Sequence, residues 1–405
     1  MKKLNLVDEN SNQFRLSEVI TLIIITLIIG FILGLSIFKV LYEKKSDKIL
    51  NSNDEYVKKF VENYNYLVDN YYGELDRNSL IDSAISGMIE SIDDPFTTYL
   101  DESQSSTFNA SLEGRFEGIG VEIVNDSEKN VVVYNVIDDS PAYNAGIKKF
   151  DIIKSIDGED LNGMDVSDFV SKIKNSDSAN FDLVLIRNNE EINVKVKRDI
   201  VTIKSVQSKI FEVNEKKIGY LYMSIFANNT YSQFKNELEQ LEKQEIDALI
   251  IDVRGNSGGH LTTVENILAL FLDSSHVIYQ TEDKNGVEKT FSNGNKTKNY
   301  KVAIITNELS ASASEILASA MSEEYGAILV GKHTYGKGTV QELKTLPDGQ
   351  QYKFTTKKWL TPKGNWINGV GIPVDIEIDI NKDYYENPSD ENDNQLQGAI
   401  KALFN

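Results

Sequence analysis

Lys301-Val302-Ala303-Ile304-Ile305-Thr306-Asn307-Glu308-Leu309-Ser310-Ala311-Ser312-Ala313-Ser314-Glu315-Ile316 decides how this chain folds. A short apolar strand runs into a turn of small residues and then into a helix. The same order occurs upstream, where Ala248-Leu249-Ile250-Ile251-Asp252 reads as a buried strand, followed by a glycine-rich turn and a helix from about Leu261. Lys217 to Met223 is a further strand, and Tyr231 to Gln244 a charged amphipathic helix. Strand and helix in alternation beyond residue 199 imply a sheet covered by helices.

Upstream the texture differs. From about 115 to 198 short strands and turns dominate: Val131 to Tyr134 and Phe181 to Ile186 read as strands, and Ser155-Ile156-Asp157-Gly158 as a hairpin turn. Asp165 to Lys174 fits a helix with Val166, Phe169, Val170 and Ile173 on one face. Residues 46 to about 100 are helical, with Tyr56, Phe60, Tyr64, Leu67, Val68 and Tyr71 at helical spacing and a second helix over Leu80 to Ile89. That apolar stripe fits a homodimer surface and packing on its own domain equally well. The tail from Asn381 to Asn394 is acidic and polar, a loose connection to a final short helix. The fold class is therefore multidomain α+β. Its parts are a tail (1–18), an apolar span (19–38), a helical region (46–104), a β-rich domain (105–198), a core (199–380) and an acidic end with a short helix (381–405).

Bulk composition narrows the chemistry. A formal net charge of −20 argues against nucleic acid, whose phosphates require a basic surface. Without cysteine there is no disulfide, thiolate metal site or cysteine nucleophile. The three histidines (His260, His276, His333) show no ligand spacing, so no metal or other cofactor is expected. Val19 to Phe38 is uncharged, and its twenty residues at 1.5 Å each match the ~30 Å hydrocarbon core. No small-residue cleavage site follows Phe38, so the span reads as an uncleaved membrane anchor. Lysines flank it on both sides, and charge alone does not orient it.

Four segments carry candidate chemistry. Ser312 lies in a serine-rich turn opening a helix, and Lys337 follows 25 residues later between Gly336 and Gly338. An open serine and a lysine brought close by glycine-flanked backbone are what a serine–lysine acyl-transfer centre requires. Ser312-x-x-Glu315 is equally a capping box, and Ser310 and Ser314 compete for either role. A lysine is ordinarily protonated at neutral pH and becomes a base only when burial or neighbours lower its proton affinity. Gln341, four residues on, can hydrogen-bond and orient it. The turn Asp252-Val253-Arg254-Gly255-Asn256-Ser257-Gly258-Gly259 leaves a strand and opens a helix, so its free amides favour negative charge, as an oxyanion hole must. Finally, Phe116-Glu117-Gly118-Ile119-Gly120-Val121 precedes a strand. Its exposed amides can hold a peptide's C-terminal carboxylate while the strand edge pairs with the peptide. Gly331 to Lys337 imitates a phosphate-binding loop, but Gly338 stands where that loop needs Ser or Thr.

Together these segments resemble the C-terminal processing peptidases, or tail-specific proteases, from about residue 55 to 405. The resemblance includes Asp93-Asp94-Pro95-Phe96-Thr97-Thr98-Tyr99-Leu100 and a PDZ-like order of Asp139-Ser140-Pro141-Ala142 and Asn144-Ala145-Gly146-Ile147. It implies an α/β core of the ClpP/crotonase-like type, with Ser312 as nucleophile, Lys337 as general base and Gln341 as its orienting partner. The oxyanion donors would be the Ala313 amide and one from Gly258 or Gly259. Gly118, Ile119, Gly120 and Val121 would bind polypeptide substrates with free, apolar C-termini. High Ile, Lys and Asn usage suggests an AT-rich bacterial genome, the apolar span gives a single-pass membrane protein, and the resemblance implies a catalytic part outside the cytoplasm. Two departures stand out: Asn256-Ser257-Gly258-Gly259 replaces the usual Asn-Pro-Gly-Gly turn, and Lys174 stands where many members carry arginine. The competing reading is a catalytically silent, membrane-anchored peptide-binding scaffold.

Overall fold

The computed structural model describes residues 54–346 and 349–404. The apolar span 19–38 lies outside them, and among the described residues no helix is long and apolar enough to cross a membrane. Two compact units divide the chain at Ile85/Ser86. In the first, helix Glu55–Asn70 starts at Asp54, whose carboxylate accepts from the Tyr56 amide at 2.9 Å. Its apolar stripe is exposed at Tyr56, Phe60 and Leu67. A second helix, Arg77–Glu90, crosses the division.

The second unit holds two cores. The first belongs to an antiparallel sheet whose path runs Val121–Asn125, Val131–Val136, Ile152–Ile156, Asn180–Arg187, Glu190–Lys197. Asp157 (φ 51°) and Gly158 (φ 83°) form its two-residue hairpin and pair Ile156 with Glu159. Positive φ at both turn residues is what a right-twisted hairpin demands, and the Asp-Gly pair supplies it. Helix Val166–Asn175 buries Phe169 and Ile173, while Val170 turns to solvent at 36% exposure. The chain enters and leaves this domain through one ribbon, Arg115–Gly118 paired with Asp199–Thr202.

The second core surrounds a sheet in the order Val206–Val213, Lys216–Met223, Ala248–Asp252, Lys301–Thr306, Ile328–Gly331, Ile376–Glu377. All pairs but the first are parallel. Its central strands are buried on both faces because their residues alternate between two apolar clusters. Leu249, Ile251, Val302 and Ile304 pack with helices Thr230–Lys243, Leu261–Leu268 and Ala313–Ala320. Ala248, Ile250, Ala303 and Ile305 pack with the final helix Asn394–Phe404. The expected loose connection ahead of that helix is instead tied down: buried Asp393 accepts from Arg254 at 2.7 Å. A separate antiparallel sheet, built on Gln351–Leu360, lies beside this core and pairs with Thr98–Leu100 and Thr339–Thr345.

Ile251 is fully buried in the strand that delivers the glycine-rich turn. Ile251→Ala should destabilise the chain by about 2–5 kcal/mol through the cavity it leaves. Thermal unfolding would show this as a lowered Tm.

Candidate active site

Parallel strands Ala248–Asp252 and Lys301–Thr306 end side by side, and a turn leaves each. Asn256, fully buried, joins the two turns. Its side chain donates to the Met223 carbonyl at 3.0 Å and accepts from the Gly258 amide at 2.9 Å. Its own carbonyl accepts from the Ala311 amide at 3.0 Å and the Ser314 hydroxyl at 2.8 Å. A Cβ on Gly258 (φ 106°) would lie 2.8 Å from Ser312 Cβ, and one on Gly259 (φ 143°) 2.3 Å from the Phe226 carbonyl oxygen. Glycine is therefore required at both positions.

The three serines separate by their partners. Ser310, fully buried, donates to the Val253 carbonyl at 2.8 Å and accepts from the Asn307 amide at 3.0 Å. Ser314, fully buried, is the hydroxyl held by Asn256. Both are structural. Ser312 alone reaches solvent, at the start of helix Ala313–Ala320, with φ 57° and ψ −114°. That backbone is strained for a residue with a side chain, and such strain gathers where a group must be presented.

What holds the strained residue is Glu315. The capping-box pattern is present, but its strong arm is the carboxylate: Ser312's amide donates to Glu315 Oε2 at 2.7 Å, while the Ser312 hydroxyl makes no cap hydrogen bond. The same buried carboxylate accepts from the Lys337 amide at 3.0 Å, the Gly336 amide at 2.6 Å and the Thr334 hydroxyl at 2.6 Å. One side chain thus fastens the serine turn to the lysine turn. Sequence reasoning saw only the cap. A local Ser-x-x-Glu pattern carries no signal of the second partner.

Lys337 is half-buried, its Nζ 5.0 Å from the centre of the Phe96 ring. Burial, helped by the positive charge of Lys353, pushes its pKa down to about 8 against the opposing pull of Glu315 and Asp94. Gly336 and Gly338 allow the expected close approach: a Cβ on either would come within 2.8 Å of the backbone at Gly371 or Asn368. The segment from Gly331 leads into strand Thr339–Thr345 rather than a helix, unlike a phosphate loop. Gln341 departs from expectation. Its Nε2 donates to the hydroxyls of Thr339 (2.8 Å) and Thr355 (3.1 Å), not to the lysine. Among the described residues no hydrogen bond joins Ser312, Lys337 and Gln341 directly. Such contacts are often long before substrate arrives.

In the β-rich domain, Ile119 and Gly120 use their carbonyls on the amides of Ala142 (2.8 Å) and Ile137 (3.0 Å). Gly118 closes the ribbon, and Val121 opens an edge strand whose free side can take a further strand. Lys174 is exposed. The cation at that helix end is Arg198, which donates to the carbonyls of Ile173 (2.5 Å) and Lys174 (2.7 Å) and lies 3.1 Å from the Glu117 carboxylate.

Comparison with known proteins agrees with this layout. Residues 217–378 match the model of peptidase family S41, 107–186 the PDZ domain, and 38–104 the N-terminal domain of the activating protease CtpB. The carboxy-terminal processing protease CtpB of Bacillus subtilis is 37% identical over 81% of this chain and 69% of its own length. Carboxy-terminal processing protease CtpA of the same organism is 32% identical over 88% and 78%. A solved S41-type structure from Bacteroides fragilis shares the fold at a TM-score of 0.52 and 14% identity, covering 82% of this chain and 98% of that one. The chain belongs to the carboxy-terminal processing proteases of peptidase family S41, PDZ-bearing serine peptidases.

Proposed function

We propose that this chain is a membrane-anchored serine endopeptidase with a Ser312–Lys337 dyad, which cleaves polypeptides presented by their C-terminal tails to the PDZ domain. The observation that carries the dyad is the Glu315 carboxylate holding both turns by their amides. Ser312 has the hydroxyl that reaches solvent, whereas Ser310 and Ser314 donate theirs to backbone carbonyls inside the core.

Neutral Lys337 takes the proton of Ser312 Oγ as that oxygen attacks the scissile carbonyl. The ammonium so formed protonates the departing amine, leaving an acyl-enzyme. Lysine then deprotonates a water that attacks the ester, and the proton returns to Ser312 as the acid leaves. Negative charge on the carbonyl oxygen falls to the Ala313 amide at the helix start and to a glycine amide. Gly258's amide is already bound to Asn256, which favours Gly259 as the second donor. The side-chain carbonyl of Gln341, whose NH2 is held by Thr339 and Thr355, would accept from the ammonium as it forms. The substrate carboxylate would meet the Ile119 and Gly120 amides, and its chain the edge strand from Val121. The anchor reading rests on the uncharged run Val19 to Phe38. With it goes an extracytoplasmic catalytic part, and membrane fractionation tests both against protease protection of intact cells. A homodimer through the exposed stripe of helix Glu55–Asn70 belongs to the same reading.

Ser312→Ala and Lys337→Ala should each lower kcat by about a thousandfold or more, measured on an unfolded protein with an apolar tail. Equal cleavage by Ser312→Ala would sink the dyad. Because lysine serves as base only when neutral, wild-type kcat should rise as pH passes about 8 and be lost below it. Glu315→Gln presents an NH2 to donors that need an acceptor, which should cost about 1–3 kcal/mol of stability and at least ~tenfold in kcat. A peptide with an amidated C-terminus should be cleaved about tenfold less well than its free-acid form. Equal rates would remove the PDZ domain from substrate selection.

A further inference from the structure

Asp93 to Leu100 precedes the PDZ domain and takes no part in the mechanism above, yet it reaches the lysine twice. Phe96 places its ring 5.0 Å from Lys337 Nζ and edge-on to Tyr335. Asp94 accepts from the Phe96 amide at 3.0 Å and from the Thr97 hydroxyl at 2.6 Å, and the nearby Thr355 hydroxyl helps hold its carboxyl below the usual carboxylate range. Thr97 in turn accepts from the Thr355 amide at 3.1 Å. Strand Thr98–Leu100 then pairs with Gln351 to Lys353, so the segment is stitched to the strand that carries Thr355.

Thr355 lies opposite Gln341 in the ladder. Gln341 Nε2 is 3.1 Å from Thr355 Oγ1 and 2.8 Å from Thr339 Oγ1. A hydroxyl has a single proton, and an ionised carboxylate only accepts. The line must therefore run one way: the Gln341 amide donates to Thr355, and Thr355 donates to Asp94. Polarity imposed from the charged end keeps the NH2 of Gln341 on the threonines and leaves its carbonyl oxygen for another donor. The ammonium of Lys337, formed during acyl transfer, is such a donor. Burial raises the proton affinity of Asp94, but its hydrogen bonds and the charge of Lys337 outweigh burial and hold its carboxyl below the usual carboxylate range.

We propose that Asp94 is a positioning residue for peptide-bond cleavage, acting through Thr355 to fix the amide of Gln341 and, with Phe96, bracketing Lys337. The inference rests on the Ser312–Lys337 reading. Three charged groups face Lys337: Glu315 from its helix, Asp94 from its loop and Lys353 from the strand Gln351–Leu360. Lys353 Nζ lies 5.4 Å from the Phe108 ring. Asp94 draws a proton onto Lys337 and Lys353 repels one, so removing either charge must move the lysine in opposite directions.

The test is kcat and KM against pH for the full chain in detergent micelles, with a fluorogenic free-acid peptide. Asp94→Asn should lower kcat about tenfold with KM within about twofold, and shift the acidic limb to lower pH by about half a unit. Lys353→Met should shift the limb to higher pH. Thr355→Val should match the kcat loss of Asp94→Asn without its shift of the limb, Thr355→Ser should restore the rate, and the double Asp94→Asn/Thr355→Val should lower kcat no more than either change alone. An unmoved limb in both charge variants would overturn the proposal. So would a loss that follows Tm or KM rather than kcat, or Thr355→Ser as slow as Thr355→Val. A fully active Lys337→Ala enzyme would instead remove the catalytic assignment beneath it.

Discussion

A single buried carboxylate holds this site together. Glu315 accepts hydrogen bonds from Ser312, Thr334, Gly336 and Lys337, two turns that lie about two dozen residues apart in the chain. An ionised group inside a protein is costly unless its lone pairs are filled, and here four donors fill them. The consequence runs both ways. Neither turn can shift without uncovering the charge, so the desolvated carboxylate enforces the spacing between serine and lysine. It also draws on the serine's backbone amide rather than on its hydroxyl.

That clamp works only because the sheet supplies a fixed base. The strained φ of Ser312 is sustained by contacts on both sides: Glu315 from the helix and the Asn256–Gly259 turn from the neighbouring strand. Asn256 in turn reaches a third strand end through Met223. Local strain of about 1–3 kcal/mol persists only where surrounding structure over-determines it. The apolar alternation of Ala248–Asp252 and Lys301–Thr306 provides that rigidity, since each strand is locked on both faces.

What the sequence made legible was local. Continuous apolar runs announced the buried strands, Asp157-Gly158 announced its hairpin, and the small-residue run announced the helix carrying Ser312. Choosing among three serines was not a local matter, because their difference lies in carbonyls at Val253 and Asn256. Gln341 misled for a related reason. Its spacing from Lys337 suggested a direct bond, but its cross-strand neighbour Thr355 was invisible without the register. The acidic tail looked loose because its charge was counted without Arg254, which donates to buried Asp393.

Continuity of the chain adds a constraint on how tail recognition and chemistry can be linked. Asp94 and Phe96 flank the lysine; Thr98–Leu100 and helix Glu102–Glu113 follow without a gap, and the next strand, Arg115–Gly118, opens the PDZ peptide loop. The helix is held at its far end by the peptidase, where the Asn228 amide donates to Leu112 at 2.8 Å and the Asn229 side chain to Gly114 at 2.7 Å. It is also held along its length by Phe108 against Lys353. The β-rich domain therefore meets the peptidase core through two connections. One is the entry–exit ribbon; the other is helix Glu102–Glu113, whose Phe108 ring lies 5.4 Å from Lys353 Nζ. Through Lys353 the second connection adjoins Lys337, whereas the serine turn is held separately by Glu315.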